Sequence, residues 1–526
     1  MNIPVFKMLA DFEAAREDRN WRGKVGWPVP YHTSRSHMFL LVEEFNDFIA
    51  NLDDEDARDV VILASTTMFP HLAWLVHTAV AVEAEAQTGG KLIGAFGELE
   101  LLRGNSTEIL PESIGSVEVF NIPSLAWLRR VKITKSWNSL REIPSVLFKP
   151  QATVLSTNDL LINSARVSRL RIDFQYAEHI LNDARQRSSH REFQFDIAWL
   201  VESLARNISN SALMNEDFRF RLKTLLITAM TNVMVTAAQD LAALKQYHLI
   251  PKVIWSGTGA KYLVRALGLE TLRRGGEVHR FGHGGSAGMN DYDGLFALSD
   301  LAATSHYVAE SGNIARHLRD AKVTKSVKSY RRIKITSSNE PSGFEYLKEL
   351  KTKPRNSKPK VIYVATATRG RFLQGAPPQL PDVVYVDWQI RFAEMLKLLP
   401  IDLLCKPHPH GLFHGIRHPV EDVATVSYRR FEEVMEDGDV FVFDAIQSTA
   451  FWEAICTDKP VVALGFGQSG FAPIVSDMMS ERCRILSVKY DEWNRPQVDK
   501  DELREVILSK PYTYDSSQIV NLMTGT

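Results

Sequence analysis

The sequence predicts an α/β protein of two Rossmann-like domains with a helical insert in its N-terminal half. Three observations carry that prediction. Between residues 358 and 470, short apolar runs alternate with helical patterns, the rhythm of a parallel sheet wound by crossover helices. A similar rhythm occurs before residue 150 and again from residue 252. Residues 158–247, by contrast, are largely free of Gly and Pro, are rich in Leu, Ala, Arg, Glu and Gln, and place apolar residues at helical spacing, as in Ile197, Leu200, Val201 and Leu204.

In order along the chain, the apolar runs 60–64, 91–96 and 117–122 read as strands of βαβ units. Two to four helices follow in the insert, about 158–247. From 252 comes a strand, a loop at 256–259, and a helix over 261–274 closed by Gly275-Gly276. The next strand, 278–281, runs into Gly282-His283-Gly284-Gly285. Residues 335–358, rich in Ser, Asn, Pro and Lys, form a linker, which divides the chain into domains 1–335 and 336–526. Beyond it, strands 360–366, 401–405, 440–444 and 460–464 alternate with helices 386–398, 430–436 and 449–456 to give a doubly wound domain.

Bulk properties narrow the function. The chain has 526 residues, room for two or three domains, and a net charge of −1. That charge gives no overall basic field, so no nucleic acid is expected as a partner. Cys405, Cys456 and Cys483 lack CxxC spacing, and two of them lie in apolar runs, as reduced thiols of a cytoplasmic protein do. The start of the chain lacks a secretory pattern, and no stretch reaches the roughly 18 apolar residues of a bilayer span. The expectation is a cytoplasmic protein. Peripheral contact with the cytoplasmic face of an inner membrane stays open, because an interfacial patch need not show in hydropathy.

In an open parallel sheet, ligands bind beyond the carboxyl ends of the strands. Two such ends lie about forty residues apart. Strand 401–405 ends in Lys406-Pro407-His408-Pro409, and strand 440–444 leads through Gln447 to Ser448-Thr449 and a helix carrying Glu453. Side by side, these ends would grip a phosphate. Lys406 offers a cation, and the prolines stiffen the loop that presents the His408 imidazole to a phosphate oxygen. The Ser448 and Thr449 hydroxyls and the first N–H groups of the helix suit the same anion, although Ser and Thr are also preferred helix N-caps. His408, His410, His414 and His418 crowd into eleven residues with no Cys, Asp or Glu among them and no helical spacing, so no metal is expected.

In the first domain, the glycines around His283 let a substrate approach the backbone, and a histidine there can take a proton from an attacking hydroxyl or simply occupy a tight turn. Asp291 and Asp293 are secondary catalytic candidates that also suit an Asx turn. The loop Ser256-Gly257-Thr258-Gly259 lacks the third glycine of a dinucleotide fingerprint and leaves Ser256 and Thr258 as further donor-binding candidates.

Lys406-Pro407-His408-Pro409, then Ser448-Thr449 on the next strand–helix turn and Glu453-Ala454 in the helix, resemble the bacterial glycosyltransferases of the two-Rossmann-domain (GT-B) type. The nearest groups are the capsule polysaccharide transferases that use CMP-activated acidic sugars (Kdo and sialic acids) and the teichoic-acid glycerophosphotransferases that use CDP-glycerol. The resemblance covers roughly residues 250–310 and 358–470. It implies that residues 336–526 hold a CMP- or CDP-activated donor, with His408, Ser448 and Thr449 binding its phosphate; Lys406, Pro409, Gln447 and Glu453 are donor-binding candidates beside them. Residues 1–335 would then bind a glycan or glycolipid acceptor. His283-Gly284 matches the glycerophosphotransferase pattern and implies a histidine base and direct, inverting displacement, without metal or cofactor. The expected function is transfer of a sugar from a cytidine-nucleotide donor to a surface glycan. The alternatives are glycerophosphate transfer from CDP-glycerol, nucleotide-sugar 2-epimerisation, for which Asp291 and Asp293 would supply the carboxylates, and a non-catalytic sugar-binding homologue.

Overall fold

The computed structural model describes residues 6–94, 97–106, 150–188, 195–212, 214–290, 293–320, 332–338, 344, 347, 358–368, 380–409, 411–467, 470–509 and 515–525. Its strands are β1 (Phe6–Leu9), β2 (Gly90–Ile93), β3 (Ala152–Ser156), β4 (Ile172–Phe174), β5 (Val253–Ser256), β6 (Glu277–Phe281), β7 (His306–Ala309), β8 (Lys334–Ser337), β9 (Lys360–Val364), β10 (Asp402–Lys406), β11 (Thr425–Val426), β12 (Val440–Phe443), β13 (Val461–Gly465), β14 (Arg484–Ser487), β15 (Lys489–Tyr490) and β16 (Pro496–Gln497). Two all-parallel, six-stranded sheets dominate: β4-β3-β5-β6-β7-β8 and β11-β10-β9-β12-β13-β14. Each winds outward from its first strand in one direction and then in the other, as doubly wound folds do. The molecule is therefore mixed α/β, and its sheets are compatible with two Rossmann-like domains.

The C-terminal sheet forms because its strands are apolar on both faces. All four residues of β12 are buried, as are Val361, Ile362, Tyr363 and Val364 of β9, which is the pattern of parallel strands covered by helices on both sides. Cys405, Cys456 and Cys483 are free and buried.

The N-terminal third differs from the sequence expectation. Residues 60–64 are not a strand; they lie inside helix Glu55–Thr88. Asp54 caps that helix by accepting from Ala57 N at 2.8 Å, and Gly89 ends it in the left-handed region. A short apolar run inside a buried helix has no periodicity that separates it from a buried strand. Of residues 91–96, three belong to β2, which pairs with β1 outside both main sheets. Residues 117–122 lie outside the described residues. The first large sheet begins at β3, and the stretch 158–247 is not wholly helical, because β4 forms a sheet edge within it. Around β4 lie helices Asp159–Val167, Ala177–Arg187, Ile197–Ser211 and Glu216–Gln246. The last packs along helix Glu55–Thr88. Contrary to the sequence expectation, both of these helices are long and apolar enough to cross a membrane, and 83% and 56% of their most apolar windows are buried inside the protein.

The two ends of the chain cross between sheets. Phe6 stacks on Trp493 at 4.1 Å, Phe12 meets Phe413 edge-on, and Arg22 pairs with Glu394 at 2.9 Å and with Asp387 at 3.4 Å. In return, helix Ser517–Thr524 packs on helix Gly312–Asp320 beside the first sheet. The boundary expected at 335/336 falls within β8.

Lys459, 3% exposed, donates to the carbonyls of Met435, Glu436 and Gly438 at 2.7–2.9 Å and so closes helix Phe431–Met435. Lys459→Met strips three carbonyls of their donor. The expected loss is ~3 kcal/mol of stability, read as a lower urea midpoint.

Candidate functional site

The carboxyl ends of the two sheets face each other across a cavity of about 440 Å³. It opens where the strand order of the second sheet reverses, between β9 and β12, with Thr366 and Ala445 in its wall. The structure brings His283 and Gly284 of the first sheet to this cavity together with Lys406, His408, Pro409, Gln447, Ser448, Thr449 and Glu453 of the second. The two walls approach closely at Gly284, whose φ is +76°: a Cβ there would lie 2.6 Å from Thr449 Oγ1.

Lys406 is the last residue of β10 and only 5% exposed, yet it makes no ion pair or hydrogen bond through its ammonium among the described residues. Burial lowers its pKa, and the charges of Glu432 and Glu433 draw it back from a distance. His408 follows on the exposed rim. The loop after β11 adds Tyr428, Arg429 and Arg430 to the wall. Sequence reading missed these three because β11 is two residues long and leaves no apolar run to mark a strand end.

Beneath them, fully buried Asp444 fixes the strand ends. Its carboxylate accepts from Tyr363 Oη and Thr366 N, each at 2.8 Å, and from Tyr385 Oη. Burial pushes its pKa up to about 6, against the pull of those donors. Ser448 performs the cap that its residue type suggests: its hydroxyl accepts from Phe451 N at 3.2 Å and donates to Ala445 O at 3.3 Å. Thr449 opens the same helix, Thr449–Ile455, and is exposed to the cavity.

On the opposite wall, Glu310 follows β7 directly and lies under the His283 turn. A Cβ on Gly282 would come 2.7 Å from Glu310 Oε2, and Gly285 N donates to Glu310 Oε1 at 3.3 Å. Glu310 Oε2 is buried without a hydrogen-bond partner. Burial raises the Glu310 pKa, while the neighbouring His283 opposes the rise. Asn158 joins the ends of three strands, with Nδ2 donating to Gly257 O, Phe281 O and Gly282 O at 3.0–3.1 Å. Neither residue stands out in the sequence, since the strands preceding them carry no motif.

A second cavity of about 680 Å³ adjoins the first and shares His283, Gly284, Arg430, Glu432, Thr449 and Glu453 with it. The two differ in charge without being separated by it: Lys406, His408 and Arg429 line only the first, Asp159, Glu310 and Glu433 only the second, and Arg430, Glu432 and Glu453 line both. Glu453 stands at the junction. Burial, followed by the nearby charge of Glu432, raises its pKa to about 8, so it is largely protonated at neutral pH.

Ser256 and Thr258 lie elsewhere. Ser256 is fully buried, bonded to Ser156 Oγ at 2.8 Å and to Arg280, and lines neither cavity. Thr258 Oγ1 accepts from Ala260 N in its own loop, also outside both cavities. Asp291 lies outside the described residues. Asp293 opens the short helix Asp293–Phe296, whose Gly294 carbonyl is held by Asn46 of helix Tyr31–Asn51 at 3.2 Å. Of the four clustered histidines, His410 is outside the described residues, His414 bonds to Pro409 O at 2.8 Å, and buried His418 accepts from Val420 N. Among the described residues, these histidines form no three-ligand cluster.

Neither a protein-family model nor a curated protein matches the chain.

The raised pKa of Glu453 has a signed consequence. Its folded form holds a proton that the unfolded chain releases near pH 4.5, so Glu453 costs stability progressively from there up to about pH 8, and fully above it. Glu453→Gln is expected to be close to the parent in stability near pH 5 and more stable than it at pH 9, by up to about 4 kcal/mol. Urea unfolding at both pH values measures the difference.

Proposed function

We propose that the protein is a cytoplasmic glycosyltransferase of the GT-B type that moves a sugar from a CMP-activated donor to a surface glycan or glycolipid acceptor. One observation carries the reading: a buried cation without an ion pair among the described residues, Lys406, at the strand-order reversal of one doubly wound sheet, with His283 of the other sheet across the same cavity. The donor phosphate would lie against Lys406, His408 and Arg430, with the Thr449 hydroxyl beside it.

In the reaction, the acceptor hydroxyl oxygen attacks the anomeric carbon and its proton passes to His283. The bond from that carbon to the phosphate oxygen breaks, and the phosphate keeps the electron pair. Lys406 and the rim cations stabilise the charge that builds on the leaving phosphate. Glu310, under the His283 turn, favours the imidazolium that forms. Glu453 in its neutral form can donate a hydrogen bond to the phosphate, where a carboxylate would repel it. The carboxylates of the second cavity suit a neutral or amino-bearing polyol acceptor better than an anionic one. Glycerophosphate transfer from CDP-glycerol would use the same phosphate grip and base.

A second reading gains from Glu310 and Glu453. They supply the carboxylates that nucleotide-sugar 2-epimerisation needs near the sugar, apart from Asp291 and Asp293. Incubation with a UDP-sugar alone separates the two: an epimerase interconverts it and a transferase does not.

A thermal-shift screen against CMP, CDP, UDP, GDP and ADP is expected to show the largest rise with a cytidine nucleotide. A protein that no nucleotide stabilises would favour a non-catalytic sugar-binding homologue. His283→Ala should fold and bind nucleotide as the parent does, with turnover reduced ~10²–10⁴-fold. Parent-level turnover in that variant would remove His283 as the base.

A further inference from the structure

We propose that Glu277, His279 and His306 form a binding site for a borderline divalent metal ion such as Zn²⁺, on the first sheet and away from the cleft. Strands β6 and β7 are parallel neighbours, and their register sets His279 directly opposite His306. Glu277 lies two residues before His279 and therefore on the same face. The ligand atoms of the three residues lie within 4.8 Å of one another. All three residues are half-buried, so an ion can reach them from solvent.

The two imidazoles are immediate neighbours, and joint ligation turns their rings out of the parallel stack. The His279 and His306 rings are stacked at 4.3 Å with 5° between their planes, and Trp255 lies beside His279 at 6.1 Å. Glu277 Oε2 is 3.1 Å from His279 Nε2. Ser305, 2% exposed, engages the Nδ1 edge of His306. Its hydroxyl donates to Val278 O at 3.2 Å and accepts from Val278 N at 2.9 Å, and its Oγ lies 3.0 Å from His306 Nδ1, where it can accept from Nδ1–H when Nε2 holds a metal. Nε2 of His306 is then the ligating atom. A buried group that holds the far nitrogen of an imidazole is the usual partner of a ligating histidine.

Two imidazoles and a carboxylate select Zn²⁺, Co²⁺, Ni²⁺ or Cu²⁺ over Ca²⁺ or Mg²⁺, which prefer oxygen ligands. Tetrahedral binding at bonds of about 2.1 Å draws the three ligand atoms to about 3.4 Å from one another, within reach of side-chain rotation, and leaves a fourth position to water. Lys334, opposite His306 on β8, carries an opposing charge but is exposed and can turn into solvent. The site joins the amino ends of the two strands whose carboxyl ends lead to His283 and Glu310. Its role is structural: it clamps the strand pair that carries the proposed base.

The test uses the full, untagged chain after chelator treatment. Equilibrium dialysis against Zn²⁺ should give about one ion per chain, with a higher melting temperature. Co²⁺ should give visible absorption bands of a low-coordinate site with nitrogen and oxygen ligands. His279→Ala and Glu277→Gln, with folding checked by circular dichroism, should each weaken binding at least ~10-fold. Should His279→Ala fail to fold, the half-buried Glu277→Gln carries the test. A parent chain that takes up no Zn²⁺, or folded variants that hold it as tightly as the parent, would overturn the proposal.

Discussion

A lysine at the cavity end of a parallel strand constrains the cleft. Lys406 is 5% exposed at the end of a parallel strand, lines the cavity, and has no ion pair among the described residues. Removing a charge from water costs several kcal/mol unless a partner compensates. Glu432 and Glu433 act on it from a distance, and its pKa remains depressed. A phosphate in the adjoining cavity would provide a close partner. The proposed transferase chemistry depends on this weakly compensated charge more than on any single motif.

The rest of the architecture holds that cation in place and brings a base to it. Asp444 ties the ends of β9 and β12 through two tyrosines and a backbone amide, so the floor of the cavity is fixed. The exchange of chain ends between the sheets, with Arg22 on Asp387 and Glu394 on one side and helix Ser517–Thr524 on the other, sets the carboxyl ends face to face. At Gly284, the φ of +76° and the approach of Thr449 Oγ1 together favour glycine. Lys406, His408 and Arg429 thereby lie at the end where a phosphate would sit, and Asp159, Glu310 and Glu433 at the end where an acceptor would enter, with Arg430, Glu432 and Glu453 between them.

The C-terminal half is legible in the sequence because its strands are continuous apolar runs ending in unusual polar residues. Lys406 to Pro409 and Gln447 to Thr449 therefore read as strand ends from the order of residue types alone. The N-terminal third is not legible in that way, since 60–64 reads equally well as a buried helix or a buried strand, and only the weaker signals of Asp54 before it and Gly89 after it mark the helix. Glu310 and Asn158 acquire their roles from neighbours 25 or more residues away, through contacts with Gly285 and with Phe281 and Gly282. Ser256 draws notice by lying at a strand end, but its side chain turns into the interior, where Ser156 and Arg280 engage it. Strand-end position alone does not say which way a hydroxyl points.

Calorimetric titration of CMP and of cytidine into the parent protein and into Lys406→Met tests the central claim most directly. The parent should bind CMP at least ~10-fold more tightly than cytidine, and Lys406→Met should lose that preference while keeping its affinity for cytidine. A folded Lys406→Met protein that binds CMP as tightly as the parent would contradict the account.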